Sequence, residues 1–276
     1  MVKVVDAQVH IWKPESPTRP WVEGAQAYAH GQSFSDDELI AKMDAAGVDM
    51  AVLVPPSWEG NRNDAILEAR ERRPDRFLVM GRIDLAKPMS DAELEDYTAD
   101  MAGVRLTFRR DPDVAQLTGG QASWLLDAAE RVGLPIAVYA PTSLARLDEV
   151  ARQHPALKLV VDHLGLPLDA RDEVARKLVD DLCGLAVHPS VAVKATCLPN
   201  NFREDPPFPS IAAVVAEVVD AFGYERVFWG SDISRLPVDY GDLVSFFVNG
   251  AGGLEGKARE GVLGASLLEW LDRKAK

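Results

Sequence analysis

The stretch Pro135-Ile136-Ala137-Val138-Tyr139-Ala140, followed after a helical segment by Leu157-Lys158-Leu159-Val160-Val161-Asp162-His163, decides the fold. Two short apolar, β-branched runs with a helix between them form one strand–helix–strand unit, and parallel sheets are built from such units. Strands covered on both faces read as nearly continuous apolar runs, as these do. Pro135 opens its run at a position where no ladder donor is yet required. The unit recurs in both directions, with runs at residues 4–11, 50–55, 77–84 and 103–108 before it and at 191–196 and 226–232 after it. That makes eight runs in 276 residues, and eight strand–helix units ordinarily occupy roughly 250 residues. The predicted fold is therefore α/β, a single (β/α)8 TIM-type barrel over residues 1–276. The rival, a doubly wound open sheet, loses its main support because no G-x-G-x-x-G follows a strand.

Helical periodicity fills the gaps. Leu39, Ile40 and Met43 mark the buried stripe of the first helix, and Val174, Leu178 and Leu182 that of the sixth. Ser35 with Glu38 and Ser90 with Glu93 fit the capping box, in which a hydroxyl and a carboxylate satisfy orphan backbone donors at a helix start. Residues 12–33 and 198–209 are long, Pro-rich and polar, and each follows the carboxyl end of a strand. That end of a barrel carries the active site, so both segments read as lids or walls over its mouth.

Composition narrows the function. The chain carries 30 Lys plus Arg against 43 Asp plus Glu, a net charge of -13, which argues against nucleic acid or an anionic membrane as partner. Cys183 and Cys197 are too few for a disulfide framework and read as buried thiols in a reducing, cytoplasmic setting. The amino terminus lacks the apolar run of about 7–15 residues that a signal peptide needs. No run approaches the roughly 20 apolar residues of a membrane span. A small molecule is the expected partner, and a homo-oligomer is compatible with the sequence.

The polar residues that end the runs are the site candidates. Gln8 and His10 stand two apart on the first strand and share a face. The fourth run ends in Arg105, Thr107 and Arg109, with Arg110 beyond. Tyr139 lies on the fifth, Asp162 and His163 end the sixth, Lys194 and Thr196 lie on the seventh, and Ser231 and Asp232 end the eighth, with Arg235 three residues on. So many ionisable groups at strand ends point to chemistry rather than packing. His30, His154 and His188 fall in loops or helix ends and read as surface residues. No G-x-S-x-G elbow for a serine hydrolase is present.

Asp6-Ala7-Gln8-Val9-His10-Ile11-Trp12, Val161-Asp162-His163-Leu164-Gly165 and Trp229-Gly230-Ser231-Asp232, in that order, resemble the amidohydrolase-2 branch of the amidohydrolase superfamily. Within it the chain is most similar to the group of 2-pyrone-4,6-dicarboxylate and sugar-acid lactonases, and the likeness reaches Leu263-Gly264-Ala265-Ser266, where Ser266 replaces the usual Asn. The resemblance implies a (β/α)8 barrel. In metal-dependent members a His-x-His on strand 1 and an Asp on strand 8 hold a divalent ion, often zinc. Here Gln8 replaces the first His and Tyr139 stands near the place of a strand-5 His. His10, His163 and Asp232 remain as ligands for zinc if one is held, and a site without a metal cofactor is favoured, because a carboxamide is a poor zinc ligand.

The resemblance also implies that arginines and a tyrosine bind an anionic lactone, a role that falls to Arg105, Arg109, Arg235 and Tyr139, with Gln8 and Thr107 beside them. Guanidinium groups hold carboxylate, or sulfonate, in a bidentate fork. Some of these arginines are expected to pair instead with Asp84, Asp111 or Asp113. The expected activity is hydrolysis of a small carboxylate- or sulfonate-bearing lactone. Asp232 would act as general base toward water, and His163, helped by His10 or Lys194, would polarise the carbonyl. The alternative is a metal-dependent nonoxidative decarboxylase of an aromatic or muconate-like acid on the same fold.

Overall fold

A computed structural model describes residues 2–25, 29, 31–109, 114–117, 120–141 and 143–272. All eight predicted runs form strands: β1 (Val5–Val9), β2 (Met50–Leu53), β3 (Phe77–Gly81), β4 (Gly103–Thr107), β5 (Ile136–Tyr139), β6 (Leu159–Val161), β7 (Val191–Thr196) and β8 (Val227–Gly230). They pair in sequence order as one parallel sheet. The sheet curls until β8 meets β1, where the Asp232 N–H donates to Gln8 O at 3.0 Å and the Ser231 N–H donates to Asp6 Oδ1 at 2.9 Å. The product is a nearly closed (β/α)8 barrel.

Alternation along each strand sorts side chains into two layers. Ala137, Val160, Ala192 and Phe228 pack inside the barrel, whereas Val138, Val161, Val193 and Trp229 pack outward against helices. The first strand switches phase part-way. Val5 and Ala7 join the inner cluster, yet Val9 and Ile11 join the outer one, and the pairing register with β2 shifts between Asp6 and Val9. A bulge of this kind turns every later side chain to the other face. It sends Gln8 and His10 into the barrel mouth.

Both capping boxes form, at the helices Asp36–Ala46 and Asp91–Tyr97. The stripe of the helix Asp172–Cys183 differs from expectation: Ala175, Val179 and Leu182 are buried, and Val174 is 63% exposed. Both sets match a helical period, and the docking of the helix on the barrel selects the smaller, later one. The described part of segment 12–33 packs on the turn after β2, where the Val22 N–H donates to the Trp58 carbonyl at 2.9 Å. Trp12 bridges Phe34 through paired backbone hydrogen bonds and meets Trp58 edge-on at 5.1 Å. Segment 198–209 begins with the short helix Leu198–Asn201 and buries Phe202 and Phe208. Among the described residues no helix is long and apolar enough to cross a membrane.

Candidate active site

Three neighbouring strands end in residues with left-handed backbone: His163 after β6 (φ 54), Cys197 after β7 (φ 63) and Asp232 after β8 (φ 52). Such conformations cost non-glycine residues on the order of 1–3 kcal/mol each and persist only where the surroundings enforce them. Asp6 supplies much of that enforcement at β8. Its carboxylate accepts from the Ser231 N–H, the Ser231 hydroxyl at 2.5 Å and the Tyr240 hydroxyl at 3.1 Å. Burial raises the Asp6 pKa to about 6 against these hydrogen bonds. Gly230 allows the close approach, since a Cβ there would lie 2.8 Å from Asp6 Oδ1 and 2.9 Å from Ala7 N.

A small pocket at the carboxyl ends of the strands is lined by His10, Arg105, Arg109, Tyr139, His163, Asp232 and Arg235, together with Pro56, Ser57, Trp58 and Leu168. His10 Nε2 lies 3.3 Å from Asp232 Oδ1, and His163 Nε2 lies 3.9 Å from Asp232 Oδ2. The Tyr139 ring meets His163 edge-on at 5.2 Å, and the Arg105 guanidinium sits 5.6 Å from the Tyr139 centroid. Arg109 donates to Ser57 Oγ at 3.1 Å.

Gln8, Lys194 and Thr107 are not among the lining residues of this pocket. Lys194, only 1% exposed, donates to Gln8 Oε1 at 2.9 Å and pairs with Asp162 Oδ1 at 3.0 Å. Arg105 donates from Nε to Asp162 Oδ2 at 2.9 Å, and Thr107 Oγ1 accepts from both Arg105 and Arg82. Arg105 thus finds its carboxylate in Asp162, not in Asp84, which pairs with Lys87; Arg110, Asp111 and Asp113 lie outside the described residues. His154 faces Asp127 and Glu130, His188 faces Asp148, and His30 also lies outside the described residues.

Burial governs the charge states. It lowers the His10 pKa to about 4, despite Asp232 nearby, and lowers His163. Burial likewise lowers Lys194, against the pull of Asp162. For Asp162 burial acts the other way and is outweighed by Lys194 and Arg105, which hold the carboxyl well below its ordinary range. Asp232 follows the same pattern, burial being outweighed by His10, His163, Arg235 and Arg105. Burial raises the Tyr139 hydroxyl to about 12, so it stays protonated.

Lone pairs decide what the site can hold. The Val54 carbonyl can only accept, so His10 Nδ1 donates to it at 2.7 Å and His10 Nε2 is unprotonated in the neutral ring. An ammonium can only donate, so Lys194 fixes the Gln8 oxygen toward itself and turns the Gln8 amide N–H groups toward His163 Nε2, 3.3 Å away. His163 Nε2 then accepts, and its Nδ1–H donates to Thr196 Oγ1 at 2.7 Å.

Cys197 is the residue that sequence reasoning passed over. Taken as an ordinary buried thiol, it sits with His163 and Asp232 so that one donor atom from each lies within 4.8 Å of the others. The trio has the dimensions of a metal site, but its chemistry fits an ion poorly. The His163 lone pair is engaged by Gln8, and the Cys197 sulfur accepts from the Asn200 amide at 2.8 Å. Its position directly after the β7 run was the available signal. Ser57 and Trp58 come from a turn after β2 and gave none.

A family model described as amidohydrolase matches residues 5–263, from β1 past the last strand. The chain belongs to the amidohydrolase family. This amidohydrolase is 27% identical to an L-fucono-1,5-lactonase of Burkholderia ambifaria over 86% of its own length and 83% of the relative's. It is 26% identical to a 4-sulfomuconolactone hydrolase of Hydrogenophaga intermedia over 92% of its own length and 84% of that chain. Among solved structures, an amidohydrolase of Burkholderia multivorans with bound zinc superposes with a TM-score of 0.77 at 20% identity, over 98% of this chain and 99% of the other. That likeness concerns the barrel.

Proposed function

We propose that this amidohydrolase opens the ring of a small lactone bearing a carboxylate or sulfonate, by attack of a water that Asp232 deprotonates. One observation carries the reading: two buried acceptors, His10 Nε2 and Asp232 Oδ1, face each other at 3.3 Å in the pocket that Arg109 and Arg235 line. A water donating one O–H to each satisfies both and is held for attack.

The proton moves from that water to Asp232 as the water oxygen bonds to the lactone carbonyl carbon. The oxyanion that forms is stabilised by guanidinium donors at the rim, and the Tyr139 hydroxyl, which donates to the Leu166 carbonyl at 3.3 Å, holds its ring edge-on to His163. Collapse breaks the acyl C–O bond of the ring, and the ring oxygen leaves with the proton that Asp232 returns, giving an open-chain acid. Arg105, Arg109 and Arg235 fix the anionic substituent, so the reacting atoms meet in near-attack geometry. His163 and Lys194 act in this scheme through orientation, since their N–H groups are spent on Thr196, Gln8 and Asp162.

The site is proposed to work without a resident metal. Two relatives named for lactones, one of them sulfonated, support the substrate class. Decarboxylation leans on an ion, and the engaged lone pair of His163 argues against it. The cytoplasm is the proposed setting, consistent with two free cysteines. A panel of carboxylated, sulfonated and neutral lactones scored by acid release tests the activity. Acid release from the anionic members supports it, and carbon dioxide release from aromatic acids with no lactone turnover overturns it.

A further inference from the structure

Lys194, Gln8, His163 and Thr196 form a continuous hydrogen-bonded chain inside the barrel, from Nζ to Oε1 (2.9 Å), from the amide to Nε2 (3.3 Å) and from Nδ1 to Oγ1 (2.7 Å). Every member is buried, and Lys194 is anchored at its far side by Asp162. Only one assignment of hydrogens satisfies the chain. A charged lysine has three donors and no acceptor, which leaves the Gln8 amide one orientation, and that orientation leaves His163 one tautomer.

We infer that Lys194 is a positioning residue that, through Gln8, locks His163 in its Nδ1–H tautomer and thereby closes the barrel centre to a metal ion. The ammonium supplies a fixed positive charge within the barrel, and Gln8 takes up the imidazole lone pair that an ion would need. A metal-ligating histidine gives its lone pair to the ion and its other N–H to a neighbouring acceptor. His163 has that outer partner in Thr196, but its lone pair already receives a proton donor. The inference rests on the metal-free reading of the site above, and its resonance readout stays informative whether or not any lactone is opened.

The test uses the full chain with 15N-labelled histidine, His163 being assigned by its loss in His163→Asn. Wild-type protein should show His163 with a protonated Nδ1 and an unprotonated Nε2. Lys194→Met should convert this to a mixture or to the Nε2–H form, and Gln8→Leu should do the same if Lys194→Met does not fold. A second measurement is zinc retained after incubation and gel filtration. Gln8→His, which removes the amide, should retain stoichiometric zinc, and wild type should not. The inference is overturned if wild-type His163 carries its proton on Nε2, if the tautomer is unchanged in both variants, or if wild type retains stoichiometric zinc that His163→Asn loses.

Discussion

His10 and Asp232 face each other as two acceptors, Nε2 against Oδ1 at 3.3 Å, with the other His10 nitrogen tied to the Val54 carbonyl at 2.7 Å. Among the described residues no side chain hydrogen-bonds that Asp232 oxygen. Buried polar atoms are ordinarily satisfied, and a pair of lone pairs pointed at one spot is the arrangement a hydrolytic water needs. The bulge in β1 makes it, because without the register shift His10 would face the helices.

The first expectation concerns pH. Burial lowers His10 from 6.5 to about 4, so the folded state binds its proton less readily than the unfolded chain does. Stability contributed by this group is complete above 6.5 and is lost as the pH falls toward about 4. Hydrolysis should follow, since an imidazolium cannot accept from the water. The acid limb of kcat/KM should have its midpoint near 4, and a midpoint near the ordinary histidine value would contradict the arrangement.

Arg235 is half-buried at the pocket rim, three residues past the proposed base. Arg235→Gln should raise KM for a carboxylated lactone about 10–100-fold, the loss of one charged hydrogen bond. KM for a neutral lactone should hardly change. Equal effects on both substrates would mean that Arg235 does not read the anion.

Asp162 lies between two buried cations, Arg105 and Lys194. Removing the carboxylate strands both, and breaking a buried pair typically costs about 3–5 kcal/mol. Asp162→Asn should lower unfolding stability by that order in denaturant titration. Its folded pKa is depressed, so in wild type the contribution is present above 3.8 and declines in stronger acid. A variant as stable as wild type would show that the network contributes little.

Much of this was legible beforehand for a physical reason. Strands covered on both faces must be apolar along their length, so all eight could be read from runs such as 135–140. The polar residues ending those runs then identified His10, Tyr139, His163 and Asp232, all at the pocket. What escaped depends on geometry that alternation does not encode. Cys197 reaches the site by a left-handed turn, Trp58 by aromatic packing on Trp12. Gln8 and Lys194 share the inward face with the lining residues but are spent on each other, on His163 and on Asp162, and Thr107 is spent on Arg105 and Arg82. In the helix Asp172–Cys183 two stripes satisfied the same period, and only packing chose between them.

The most direct measurement is lactone hydrolysis by Asp232→Asn, with product binding followed alongside. The asparagine keeps the shape and removes the proton acceptor, so kcat should fall by about 10²–10⁴-fold or more, as expected for loss of a general base, with binding of the open-chain acid largely preserved. Hydrolysis at near wild-type rate in that variant would contradict the account.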